Sequence, residues 1–443
     1  MTHLKKTVLC AMLFCGSGVA WSINLSQSYE AALGQDATIR AARANAEAGR
    51  EVLPQAKAQL LPTLSASFGA NSNRLSSTSP DYLGKNATTD SSYPSHNETL
   101  TLRQPIYRKY LLDNYRHAQV VVKDVDASLA VEVQNLAVRV GTAYFDALLA
   151  EEQHALVKAQ LANYTVQLEA ARKLFKGGSG TRTDIDEVQS RVDMNLAQEL
   201  ETRQHIQFTR RQLQVFVNQA VDNLAALDPA KLVLAQPEPD RLEYWTDLAE
   251  RSSPELAALR ARVEAAELDV EKAKAGHTPT LDAVAQWSRS ASENTFNTQS
   301  STDLQTLGLQ LTIPIYSGGG VSSAVRQAQA VKERFTQMLE ASRRDLGVRV
   351  QREFRGVTEG VLRVKALEQA VRSTQQAVQS SEKSFQAGAR TRIDVLNAEN
   401  NKMTASRDLA QARFGYMLSQ LRLKALVNEA DARTIEVLNQ QLK

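Results

Sequence analysis

The sequence predicts a mainly α-helical chain that carries four β-strands and is written twice. Three observations lead there. One set of landmarks recurs along the chain, apolar residues alternate with period two at four places, and heptads run for long stretches after the strands.

The repeat sets the plan. LLPTLSASFGA at 60–70 matches HTPTLDAVAQW at 277–287, LRQPIY at 102–107 matches LTIPIY at 311–316, and FKGGSGTRTD from 175 matches FQAGARTRID from 385. The order is kept and the offset stays near 210, since Asp184 and Asp394 lie 210 positions apart. Two copies follow, at 23–220 and 241–428, joined by a linker at 221–240 that holds Pro229, Pro237 and Pro239 and followed by a tail at 429–443.

Residues 1–22 run from MTHLKK through the apolar TVLCAMLFCGSGVA to small residues near Ala20 and Ser22, the order of a secretory signal peptide. The apolar run is shorter than the roughly 20 residues that span a bilayer. Cys10 and Cys15 both fall inside it, so the exported chain is expected to hold no cysteine. Losing Lys5 and Lys6 takes the formal charge from +3 to +1. A chain so balanced gives no electrostatic case for nucleic acid, which calls for clustered basic charge.

The strands come in pairs, at 62–106 and 279–314. Leu64, Ala66, Phe68 and Ala70 alternate with small polar residues, as do Leu307, Leu309, Leu311 and Ile313; Leu100 with Leu102, and Leu281 to Trp287, give weaker signals. Each strand is expected to be about ten residues long. Between them, 72–97 and 289–303 are rich in Ser, Asn, Thr and Asp and read as exposed loops.

After each Pro-Ile-Tyr the period turns helical. Leu129, Val133, Leu136, Val140 and Ala143 open a heptad that reaches Tyr164, Leu168 and Phe175, while Val350, Val357, Val364, Val371, Val378 and Phe385 hold a strict seven-residue spacing. About 65 residues in one helix would rise roughly 100 Å. Turns near 177–182 and 387–391 then reverse each long helix into another, with glycine where a left-handed backbone is needed.

Four strands cannot close a useful barrel alone. In lipid, an open sheet edge is unsatisfied, so strands that enter a membrane must close with other chains. The residues leave a second possibility open, a soluble periplasmic coiled-coil scaffold with small sheets and no pore. Phe68, Tyr107, Trp287 and Tyr316 lie at or near strand ends, where an aromatic belt would stand.

This order of parts, with LTIPIYSGG at 311–319, FQAGARTRIDVLNAE at 385–399 and RFGYMLSQLRLKALVN at 413–428, closely resembles the TolC family of outer-membrane channel proteins. The resemblance implies a homotrimer whose strands make a shared twelve-stranded membrane β-barrel continuing into an α-helical periplasmic tunnel. It implies an outer-membrane exit duct in a Gram-negative bacterium, served by a periplasmic adaptor and an inner-membrane ABC or proton-driven transporter, for type I protein secretion or multidrug efflux.

It also implies a gate. Arg390 matches the family's latch arginine, and Thr183 and Asp184 match its partners. Asp394 matches the first constriction aspartate, while Asn397 stands where a second acid is expected and Phe385 where a tyrosine is often found. Several links of about 1 kcal/mol each would approach the roughly 5.5 kcal/mol that moves a gate from mostly shut to mostly open. Gly177, Gly178, Gly180 and Gly388 mark the expected adaptor-contact tips.

No catalytic, cofactor or metal site is expected. His96, His117, His154, His205 and His277 are scattered without metal-binding spacing, and YSGGG at 316–320 lacks the ending of a phosphate loop.

Overall fold

The computed structural model describes residues 22–294 and 297–442; the expected signal peptide, Ser22 apart, lies outside the described residues. The first repeat contains α1 (Leu25–Gln35), α2 (Ala37–Arg50), α3 (Val52–Ala58), β1 (Thr63–Pro80), β2 (Asn86–Arg108), α4 (Lys109–Lys176) and α5 (Arg182–Val217). The second contains α6 (Leu242–Ser252), α7 (Pro254–Lys274), β3 (Thr280–Asn294), β4 (Asn297–Thr312), α8 (Gly320–Gln386) and α9 (Arg392–Leu426), and α10 (Ala432–Asn439) closes the chain. Among the described residues, no helix is long and apolar enough to cross a membrane.

Two compact units divide the chain, and each draws on both repeats. One comprises 41–132 and 248–348 and holds the sheet; the other comprises the residues up to 40, 133–247 and 349 onward.

In the sheet-bearing unit the order is β1-β2-β3-β4, antiparallel throughout. Residues directly opposite one another share a face. One face therefore carries the rows Leu64, Leu102, Ala285, Leu307 and Ala66, Leu100, Trp287, Gln305, and the other carries Ser65, Thr101, Gln286, Thr306. The next row on the apolar side is Phe68, Glu98, Arg289 and Asp303, so charge appears where that band ends.

The strands are longer than expected, at 18, 23, 15 and 16 residues, and the segments read as loops are mostly strand. Beyond Ser95, β2 pairs with β1 alone, forming a two-stranded ribbon to a turn at 81–85. Thr78 and Thr88 bond side chain to side chain at 2.8 Å, as do Asn73 and Ser95. Such a ribbon has no buried face, so its backbone ladder persists while the apolar alternation that announces a strand is missing.

Where β2 passes directly into α4, charges gather. Arg108 donates through both Nε and Nη2 to the buried Asp282, at 2.7 Å for the first bond, and Lys109 Nζ reaches Asp113 at 2.6 Å.

In the other unit the heptad positions Leu136, Val140, Ala143, Ala147, Val157, Tyr164 and Leu168 of α4 and Val350, Val357 and Val364 of α8 are buried. Phe175, expected to continue that stripe, is exposed at the end of α4. The linker is pinned by two tyrosines. Tyr144 Oη contacts the carbonyls of Ile23 and Ala225, both at 3.1 Å, and the Ala225 N–H; Tyr416 Oη accepts from the Ala235 N–H at 2.8 Å. Burial pushes both hydroxyls above the usual phenol range. Within the expected tail at 429–443, the described residues form a helix: Asp431 caps α10, which buries Ile435 and Leu438, and Ser26 Oγ of α1 donates to Glu436 at 2.5 Å.

Tyr144→Phe would leave the buried Ala225 carbonyl without its hydroxyl donor, at about 1–3 kcal/mol, and Tyr416→Phe would release Ala235 from its hydroxyl partner. Trypsin cleavage at Lys231 in the linker is expected to become several-fold faster in both, and an unchanged rate would show that the linker is held by other contacts.

Candidate functional site at the hairpin tips

Each tip is built from two local devices. At the end of α4, Gly178 at φ 78° lets the Ser179 N–H reach the Leu174 carbonyl at 3.0 Å and its own N–H reach that of Phe175, also at 3.0 Å. Gly388 at φ 73° does the same for α8, with Ala389 on Ser384 at 2.8 Å and Gly388 on Phe385 at 2.9 Å. Both are Schellman motifs, which satisfy carbonyls left over at a helix end. Then a threonine starts the next helix. Asp184 Oδ2 accepts from the Thr181 N–H at 3.0 Å and its hydroxyl at 2.7 Å, and Asp394 Oδ2 accepts from Thr391 at 2.9 and 2.7 Å. The repeated Thr-Arg-x-Asp is a capping box.

The copies then diverge at one position. Arg182 and Arg392 are equivalent first residues of α5 and α9, where a cation opposes the helix dipole. Four residues on, the first copy has Asp186 and the second Leu396. Arg182 pairs with Asp186 at 3.2 Å in full exposure. Arg392 has no acid there, and its guanidinium lies 4.0 Å over the Phe385 ring. A cation over an aromatic face contributes about 1 kcal/mol.

Between the hairpins, Tyr164, Leu168, Val188, Val192 and Leu396 form a buried cluster, with Ile185 packed against it. Gln167 Nε2 donates to Glu399 at 2.7 Å, and Arg191 Nη2 to Asn397 at 3.5 Å. Arg390 Nη1 donates to Ser381 Oγ at 3.0 Å, inside its own hairpin. Within one chain, therefore, Arg390 does not meet Asp184 or Thr183. Asn397 and Thr183 are exposed.

Electrostatics distinguish the two acids of α9. The Thr391 hydroxyl, its N–H and the Arg390 charge hold Asp394 below the ordinary carboxylate range. Burial raises Glu399 above it, against the Gln167 hydrogen bond. Burial also lowers the Arg392 pKa, while Asp184, Glu399 and Glu382 act in the other direction.

On the sheet, Phe68, Trp287 and Tyr107 stand on the apolar face, the last opposite Leu281; all three are exposed, as is Tyr316 beyond β4.

The family described as outer membrane efflux protein matches residues 28–219 and 245–429, which are the two repeats without the linker. The chain belongs to that family. The proteases secretion protein PrtF of Dickeya chrysanthemi is 31% identical over 432 residues, covering 96% of this chain and 93% of the relative. The alkaline protease secretion protein AprF of Pseudomonas aeruginosa is 32% identical over 442 residues, covering 99% and 91%. Among solved structures, the Campylobacter jejuni CmeC outer membrane channel superposes with a TM-score of 0.79 at 14% identity, over 95% of this chain and 90% of that one. As a member of the outer membrane efflux protein family, the chain is an outer-membrane protein with the TolC-like channel fold, and its family is one of export ducts rather than enzymes.

The TolC-family resemblance pointed to Arg390, Asp184 and Asp394 as gate candidates. It missed Phe385 as a platform for Arg392, and it missed the Gln167 to Glu399 bond, because partners 232 positions apart leave no local signal.

The two α9 carboxylates respond oppositely to acid. Asp394 contributes stability that is complete above its unfolded pKa of about 3.9 and lost as pH falls through its lower folded value. Glu399 contributes stability present below its unfolded value of about 4.3 and lost as pH rises through its higher folded value. An infrared titration of carboxyl groups, differenced against Glu399→Gln and Asp394→Asn, is expected to place Glu399 above and Asp394 below the ordinary range; coincident titration would contradict both assignments.

Proposed function

We propose that the chain is the outer-membrane exit duct of a type I protein-secretion assembly. Three copies close their sheets into one twelve-stranded barrel, and an adaptor and an inner-membrane ABC transporter deliver the cargo to a passive, non-catalytic passage. The observation that carries this reading is end-to-end similarity to two protease secretion proteins in a chain whose sheet has one apolar face and two edges unpaired among the described residues. An edge left open in lipid would be too costly to persist.

In this duct Phe68, Tyr107, Trp287 and Tyr316 form the interfacial belt. The turns at Gly177, Gly178, Gly180 and Gly388 meet the adaptor. Arg390 latches the closed entrance by reaching Asp184 and Thr183 of a neighbouring protomer, which its exposed position at the turn permits. Asp394 and Asn397 line the constriction, where a ring of three aspartates attracts cations.

Two measurements test this. In a Gram-negative host lacking its own duct, co-expression with a protease-secreting ABC transporter and adaptor is expected to release protease to the medium. Protease retained in cells whose drug resistance is restored would assign the duct to a pump instead, and a protein that washes off the membrane would be a scaffold. In planar bilayers, Arg390→Ala is expected to raise the resting conductance several-fold; an unchanged value would move the latch elsewhere.

A further inference from the structure

Helical spacing puts Arg392, Leu396 and Glu399 on one face of α9. Two of these already touch the first hairpin, Leu396 through the buried cluster and Glu399 through Gln167. On α5, Asp184 stands four residues before Val188 as Arg392 stands four before Leu396, and Val188 and Leu396 belong to the same cluster. Each helix starts at its turn, so Asp184 and Arg392 lie one turn nearer the tip on the faces that carry Val188 and Leu396.

We propose that Arg392, held over Phe385, is the cation that fastens the second hairpin to Asp184 of the first within one protomer, making it a positioning residue of the gate. The inference rests on the reading of the tips as the entrance of the duct.

Three features support it. Arg392 Nε is buried and makes no hydrogen bond, so the guanidinium retains donor capacity toward the facing hairpin. Both Thr181 bonds fall on Asp184 Oδ2, which leaves Oδ1 for a second partner. Within one protomer Arg390 donates to Ser381 and not to Asp184, whereas the Asp184 charge acts on Arg392. Phe385 has no hydroxyl with which to hold the first hairpin itself, and it serves instead as the surface that keeps Arg392 from turning to solvent.

The repeat provides an internal control, since Arg182 is the equivalent residue and is taken up by Asp186. Full-length oligomers in planar bilayers would be compared as wild type, Arg392→Gln, Arg392→Lys, Asp184→Asn, the Arg392→Gln/Asp184→Asn double variant and Arg182→Gln. Asparagine keeps the capping acceptor while removing the charge. Arg392→Gln and Asp184→Asn are each expected to raise resting conductance several-fold, the double variant no further than the larger single, with Arg392→Lys near wild type and Arg182→Gln unchanged. Wild-type conductance in Arg392→Gln, multiplying effects in the double variant, or an equal rise in Arg182→Gln would overturn the assignment.

A second readout needs no pore: disulfide trapping of a Gln167→Cys/Glu399→Cys pair should slow several-fold when Arg392→Gln is added, and an unchanged rate also refutes the clamp. If no assembled sample passes current while trapping still slows, the duct reading falls and the clamp stands.

Discussion

The requirement that every backbone N–H and C=O be paired in lipid governs this molecule. Three ladders lie among the described residues, within which the outer edges of β1 and β4 have no partner. A soluble sheet can leave an edge to water; a membrane sheet cannot. The division of the sheet into an apolar face of Leu, Ala, Phe and Trp and a face of Ser, Thr, Gln and Asn is the side-chain counterpart of the same requirement, with lipid on one side and water on the other.

Passing from strand to helix without a connecting loop creates a second demand. Residues Arg108 and Lys109 are neighbours in sequence but belong to different elements, and each is tied to a buried carboxylate, Asp282 on β3 and Asp113 on α4. Buried pairs of this kind add little net stability, yet removing one partner strands the other, so they fix geometry more than they add energy. Here Arg108 ties β2 to β3 at the point where the 68-residue helix begins, and Lys109 pairs along the first turn of that helix.

At the tips, duplication kept what the backbone needs and released what it does not. Schellman glycine and Thr-to-Asp cap are present in both copies because reversing a helix in five residues needs a left-handed residue and leaves free N–H groups to satisfy. The fifth residue of the new helix carries no such duty. As Asp186 it draws Arg182 outward along its own helix, and as Leu396 it enters the core between hairpins and leaves Arg392 to Phe385. One substitution thus turns a surface ion pair into a packed contact.

Periodicity and repetition in the sequence determined the duplicated plan, the long helices, the strand pairs and the turns, because each is written in residues a few positions apart. Segments 72–97 were illegible as strand because a ribbon bathed on both faces has no alternation, and the closing helix α10 was hidden by its shortness. Which arginine serves which acid was decided only by tertiary structure: Arg390 and Arg392 are two residues apart in one motif, and nothing local says that one turns to Ser381 and the other packs over Phe385. Those choices depend on the helix faces that the buried cluster of Tyr164, Val188 and Leu396 aligns, and contacts across more than 200 positions exist only once the chain has packed.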